Sequence, residues 1–421
     1  MAKTVPLDPP TLAWAKSVFA RYYGGVRLDA PERLNRREFA AFPFATETFM
    51  RRHATLRTVE EFRRFLASEV PRHVYYSSAY YRRPAEPTMS AKEWLGADLI
   101  FDLDSDHLRG AEALSYPEQL ALVKRRLVAL VDDFLFGDFG IDPAATALVF
   151  SGGRGYHVHV REEGFRSLTS PERRELVDYV LGTGVEAMRA VRTQEEVADT
   201  PVGTVAAGDT PENGRRSSRA PKPRYLVDPD TPGWPGRTTR AVLDLLGRWE
   251  AAGKAAAVDD LVRYGIPPAR ARQWAKALVD DGGAEKVRRQ LTLEVFPKGV
   301  PAEFLEAVVP RAAIEVQGET DAPVTTDIHR LIRLPGSLHG GSGLRVVPLT
   351  RDALDAFDPF RDAPIPAGPD DRTDVTFTEE VDLPFAPEPL RGHAGATDSV
   401  PTPRALFLVL RGQAVLPPAP G

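Results

Sequence analysis

The chain of 421 residues contains no cysteine. That excludes disulfides, a thiol nucleophile, iron–sulfur ligation and every zinc site built on thiolates, so any metal chemistry must use oxygen or imidazole ligands. Lysine is scarce as well: of 54 basic residues, nine are lysine and 45 arginine. Abundant Ala, Gly and Pro point to GC-rich coding as the first reason for this bias, although the planar arginine fork also suits carboxylates and phosphates. A surplus of positive charge is missing too, because 59 acidic residues give a net charge of −5. Binding to nucleic acid would therefore have to come from a local basic surface. No stretch approaches the ~20 apolar residues of a membrane span. The start Met1-Ala2-Lys3-Thr4-Val5-Pro6 lacks the charged and apolar regions of a signal peptide, so a cytoplasmic protein without membrane contact is expected. With 43% hydrophobic and 27% charged residues, the composition is that of a globular protein large enough for two or three structural units.

Apolar residues at Leu12, Trp14, Ala15, Val18, Phe19 and Tyr22 predict an opening amphipathic helix over 9–24. Aromatic and β-branched content predicts sheet at 37–42 and 73–81, with a helix at Val59–Glu69 between them. A strand is expected at Asp98–Asp104, a helix at Pro117–Phe136, and two strands, Thr146–Phe150 and Tyr156–Val160, around the glycine turn 151–155. A further helix opens at Ser170-Pro171 and runs to about Val191. Residues 193–236 read as a long loop, 238–292 as three or four short helices, and Ala313–Val316 and Leu344–Leu349 as a return to sheet. The expected divisions are a core in two parts, 1–192 and 305–368, a loop and helical insertion at 193–304, and an acidic, Pro-rich tail at 369–421. One docked helix is expected within that tail, near Pro403–Arg411.

Three segments carry chemistry. In Phe101-Asp-Leu-Asp104 the carboxylates are two apart, so on a strand both face the same side. Such a pair suits a hard divalent cation, but it also suits a strand that ends in an acidic loop. In Ser151-Gly-Gly-Arg-Gly-Tyr-His-Val-His159, free turn amides and Arg154 suit an anion, and His157 and His159 share a strand face. A plain hairpin with a solvated arginine fits equally well. The third segment, Asp321 to His339, offers a carboxylate, then Arg333, then Ser337 and His339 in a loop. Acidic groups beside clustered Arg and His are what phosphoryl and nucleotidyl transfer needs, since that chemistry rests on positioning and charge neutralisation.

These three blocks in this order, with Arg37-Glu38-Phe39 and Tyr80-Tyr81-Arg82-Arg83-Pro84, resemble the catalytic small subunit of archaeal and eukaryotic DNA primase over about residues 10–190 and 305–350. The resemblance implies an α+β primase catalytic core with an RNA-recognition-like active-site sheet, interrupted by a helical insertion. Asp102, Asp104 and Asp321 would be the catalytic, metal-binding carboxylates, working with Mg²⁺ or Mn²⁺. Ser151, Arg154, His157, Arg333 and His339 would hold the incoming nucleotide's phosphates, with Glu38, Arg51 and Arg82 or Arg83 as further contacts; His159 ranks below His157. The implied enzyme is a DNA-directed nucleotidyltransferase that makes short RNA, and by extension DNA, primers from nucleoside triphosphates on single-stranded DNA, paired with a large subunit. A related primase–polymerase of repair or end joining is the enzymatic alternative, and an inactive single-strand-binding module the other. Two departures from the family stand out. With no cysteine and only His107 after the Asp-x-Asp strand, the family's zinc knuckle is missing and no structural zinc is expected. Position 153, often basic or histidine in the family, is glycine.

Overall fold

The computed structural model describes residues 7–26, 28–44, 49–108, 110–193, 223–296 and 298–418. The chain divides into two compact units, Met1–Val180 with Glu319–Gly421, and Leu181–Gly318. The chain combines helices and strands, an α+β organisation. Among the described residues no helix is long and apolar enough to cross a membrane.

The first unit opens with the helix Pro9–Gly25. Asp8 caps it by accepting a hydrogen bond from the Thr11 amide, and the apolar repeat buries Ala15, Val18, Phe19 and Tyr22. Two four-stranded antiparallel sheets follow. In one, Phe39–Phe42 lies between Arg51–Ala54 and His73–Ser77, and His73–Ser77 also pairs with Leu331–Arg333. In the other, Gly155–Val160 lies between Leu99–Asp104 and Thr146–Phe150, and Val347–Leu349 closes the far edge. One core cluster gathers Phe19, Phe39, Phe62, Tyr76, Ile100, Leu334 and Leu406, so helix, both sheets and the C-terminal helix share it.

The segment 73–81 is two strands rather than one. At Ser78 the backbone changes partners: its N–H donates to Arg330 O, while its carbonyl accepts from Asp98 N. Ala79–Tyr81 then pairs with Trp94–Ala97 instead. Behind this switch lies a buried ion pair, Arg37 to Asp98 at 2.7 Å, with the Tyr80 hydroxyl 2.6 Å from the same carboxylate. Leu344–Leu349 contributes a strand only at Val347–Leu349. The helix predicted at Pro117–Phe136 starts at Tyr116, held by a Ser115–Glu118 capping box, and passes into a wider turn over Leu130–Asp138.

The expected tail is a folded part of this unit. Arg372–Phe377 pairs with Thr397–Pro401 and Ala414–Val415, and Val381–Leu383 pairs with Leu390–Gly392. The helix Thr402–Arg411 buries every residue from Ala405 to Leu410. Proline and acidic residues masked the strands because they occupy ends and outward positions, while Val375, Phe377 and Val400 point inward.

The second unit is helical, with Trp234–Ala252, Lys254–Arg263, Pro268–Ala275, Gly283–Gln290 and Ala302–Glu315, and a short pair of Val191–Thr193 with Arg224–Leu226. Residues 194–222 of the expected loop lie outside the described residues. The strand expected at Ala313–Val316 is the end of a helix whose Phe304, Leu305, Val308, Val309 and Ala312 recur at helical spacing. That helix packs in one cluster with Leu245, Leu246 and Ala190, which is why this unit extends beyond the expected limits of 193 and 304. The helix expected to reach Val191 ends at Leu181.

Candidate active site

The strand Leu99–Asp104 alternates as an amphipathic strand must: Phe101 and Leu103 are buried, while Asp102 and Asp104 remain partly open on the other face. In register, Asp102 stands opposite His157 and Asp104 opposite Gly155. His157 Nε2 lies 3.5 Å from Asp102 Oδ1. Burial pushes the His157 imidazole down to about 4, and the charges of Arg333 and Arg330 add to this against Asp104, so the ring is neutral at neutral pH. Glycine at 155 is required, because any Cβ there would collide with the Leu103 carbonyl oxygen and the Asp104 carboxylate.

The carboxylate strand forms one edge of its sheet, and the third block uses that edge. The Asp321 amide donates to the Asp102 carbonyl at 2.8 Å and the Thr320 hydroxyl reaches the same oxygen at 3.4 Å. Asp321 thus stands next to the pair, at the start of the short helix Ala322–Thr326. Three carboxylates are hard oxygen donors of the kind Mg²⁺ and Mn²⁺ take. Burial first, and the neighbouring Asp102 charge second, hold the Asp104 carboxyl above its ordinary range, a repulsion that a divalent cation would relieve. Among the described residues no three acidic or imidazole side chains already converge as a closed ligand set.

The glycine turn is braced from within and from outside. Ser151 Oγ accepts from the Gly153 and Gly155 amides at 3.2 and 3.3 Å, and Gly152 adopts a φ of 73°. The turn touches the loop that ends the third block: a Cβ on Gly152 would come 2.8 Å from His339 Cβ, and Ser342 Oγ donates to the Gly152 carbonyl. His339 Nδ1 lies 3.1 Å from Ser342 Oγ, and its ring meets His73 edge-on at 5.3 Å. Arg333 Nη1 lies 2.6 Å from His73 Nδ1, and its guanidinium sits 5.1 Å from the Tyr75 ring centre. Burial, reinforced by Arg333, holds both His73 and His339 well below the usual imidazole range. Two neutral histidines and an arginine therefore line the place where the second and third blocks meet.

Not every expected residue joins this group. Ser337 is buried and donates to Leu334 O, a loop-bracing role. His159 is also buried, stacked on Tyr76 with Nδ1 3.3 Å from its hydroxyl. Arg154 pairs with Asp106 at the turn. Arg51 is exposed and paired with Glu69, whereas its neighbour Arg52 reaches Glu38 at 3.1 Å. Glu38 is fully buried and also holds Lys92 at 3.3 Å and the His53 amide at 3.2 Å. Burial raises the Glu38 carboxyl, but Arg52 and Lys92 outweigh it and leave it below the ordinary value. Arg82 and Arg83 both pair with Glu93. Sequence reasoning passed over Arg52, His73, Arg330 and Lys92. Alternation from Tyr75 back to His73 on one strand face was the signal available for His73; Lys92 had none, since its ion-pair partner Glu38 is 54 positions away in the chain.

The class of protein so defined is an α+β protein with paired strand carboxylates beside an arginine- and histidine-lined turn. Residues 101–351 match the family model described as DNA primase small subunit. A DNA primase small subunit PriS of Methanocella arvoryzae is 37% identical over 417 residues, covering 97% of this chain and 99% of that protein. Those of Halorubrum lacusprofundi and Natronomonas pharaonis are 37% and 38% identical, and this chain covers 98% of each. The chain belongs to the DNA primase small-subunit family.

Proposed function

We propose that this chain is the catalytic subunit of a DNA primase, a nucleotidyltransferase that builds short RNA primers, and DNA primers as well, on a single-stranded DNA template. The observation that supports the reading best is the hydrogen bond from the Asp321 amide to the Asp102 carbonyl, which ties the Asp321 backbone to the edge strand that carries Asp102 and Asp104. In this reading the two antiparallel sheets are the primase catalytic core, and the sheet with the carboxylate strand is its RNA-recognition-like module. A separate large subunit accompanies the chain.

Asp102, Asp104 and Asp321 would hold Mg²⁺ or Mn²⁺, which when bound supplies Lewis acidity at the reacting phosphate and the leaving group. The primer 3′-hydroxyl gives up its proton to solvent water as its oxygen bonds to the α-phosphorus, the bond from that phosphorus to the bridging oxygen breaks, and pyrophosphate departs with its electron pair. Arg154, Arg333 and the turn amides neutralise and orient the triphosphate, work that needs fixed charge more than proton transfer. Neutral His157 and His339 suit this role as hydrogen-bond donors to phosphate oxygens. Nucleotide incorporation on single-stranded DNA by the purified chain, alone and with its large subunit, tests the reading. Asp102→Ala should abolish synthesis with either Mg²⁺ or Mn²⁺, and activity that survives it would refute the site.

A further inference from the structure

The glycine turn has a support that the proposed chemistry leaves unexplained. Tyr116, at the start of the helix Tyr116–Ala129, donates its hydroxyl to the Gly153 carbonyl at 2.6 Å. Its ring is clamped by the C-terminal segment: the Arg411 guanidinium lies 4.0 Å from the ring centre, Phe407 packs at 6.0 Å, and Phe360 meets it edge-on at 5.8 Å. We propose that Tyr116, braced by Arg411 of the C-terminal helix, is a positioning residue that fixes the Gly153–Arg154 peptide of the turn for triphosphate binding. The inference rests on the reading of that turn as the phosphate-binding element.

Gly152 and Gly153 are adjacent residues without Cβ atoms, so the two peptides that follow them are the ones in the site most free to rotate. A peptide group is planar and trans, so holding its carbonyl holds the following N–H in the opposite direction. Ser342 holds the Gly152 carbonyl and leaves the Gly153 amide on Ser151 Oγ. Tyr116 holds the Gly153 carbonyl, which turns the Arg154 amide to the face away from Tyr116. Both anchors come from outside the turn, one from the loop just after the third block and one from the helix under Arg411. A chain with a bulkier residue at 153 would restrict this peptide itself; glycine hands the task to Tyr116.

The test is Tyr116→Phe in the full-length chain. It keeps the ring and its contacts with Arg411 and Phe407 and removes only the hydroxyl. Affinity for a fluorescent nucleoside triphosphate with Mn²⁺ is read by equilibrium binding, beside KM and kcat for incorporation and the melting temperature. The expected result is Kd and KM raised about tenfold, with kcat within about twofold and melting lowered by no more than a few degrees, since losing the hydrogen bond costs the fold little but frees the binding group that it orders. Arg411→Met should raise Kd in the same direction by a smaller factor, and Arg411→Lys should recover most of the loss. Wild-type Kd in a folded Tyr116→Phe chain would overturn the proposal, as would a fall in kcat with KM unchanged. Absence of synthesis by the unaltered chain would instead count against the catalytic reading, and the binding measurement keeps the two failures apart.

Discussion

Replacing Asp102 with asparagine should make the metal-free protein more stable while removing its response to divalent cations. Residues two apart on a strand are separated by about 6.6 Å, and at an effective dielectric near 20 two unit charges at that distance repel by roughly 2.5 kcal/mol. Arg154 offsets part of this at Asp104, whose carboxyl is nevertheless held above its ordinary value by burial and by Asp102. A net gain of about 1–2 kcal/mol is therefore expected for Asp102→Asn at pH 7 in EDTA, or about 3–6 °C in the melting of the unit that carries the site. The pH dependence has a definite sign. A carboxyl whose folded pKa is raised binds its proton more tightly when folded, so the penalty is absent below the ordinary value of 3.8 and complete above the raised one. The advantage of the variant should accordingly shrink as pH falls through that window. Scanning calorimetry across pH 4–8, with EDTA and with Mg²⁺ or Mn²⁺, measures both effects. A variant that melts below the unaltered protein in EDTA, or that Mg²⁺ stabilises as strongly as the unaltered protein, would refute the claim that the two carboxylates repel each other at a cation site.

Glu38→Gln should destabilise the first unit by about 3–5 kcal/mol, because Lys92 keeps its charge in a buried position without a carboxylate partner; an unchanged melting curve would contradict this. The stabilisation that Glu38 gives is complete above its ordinary value and is lost as pH falls through the lowered one, so acid melts of the two proteins should converge. Gly155→Ala, which forces a methyl group against the Leu103 carbonyl, should cost about 3 kcal/mol or prevent folding, as denaturant unfolding would reveal. Arg333→Ala should raise KM for the nucleoside triphosphate about tenfold or more, since it removes a cation at the joined second and third blocks, whereas Arg51→Ala should leave KM and stability near their original values. Equal effects of the two substitutions in steady-state incorporation assays would show that the placement of Arg333 has no bearing on nucleotide binding.

Much of this protein is written in local pattern. The period of two around Asp102 and Asp104, the glycines of the 151–155 turn, the helical repeat of Ala15, Val18, Phe19 and Tyr22 and the apolar run Ala405–Leu410 each concern a side chain and its near neighbours, and each appears where the pattern places it. Strand alternation and helical periodicity are properties of a few consecutive residues, which is why they survive translation into structure. The misreadings arose where composition stood in for pattern. Acidic and Pro-rich residues after Gly368 suggest a tail, although Val375, Phe377 and Val400 point inward, and an expected strand at Ala313–Val316 leaves out the helical repeat that begins at Phe304.

Tertiary structure alone decided the partners. Whether Arg51 or Arg52 turns to Glu38 depends on the register between Phe39–Phe42 and Arg51–Ala54, where a one-residue shift exchanges faces. Lys92 reaches Glu38 across 54 positions, Arg333 meets His73 across 260, and Arg411 closes on Tyr116 across 295, separations over which no local periodicity carries information. The sequence by itself therefore determined which chemical groups this primase small subunit possesses, and folding decided which of them face one another, because charge and hydrogen bonding act between atoms a few ångströms apart.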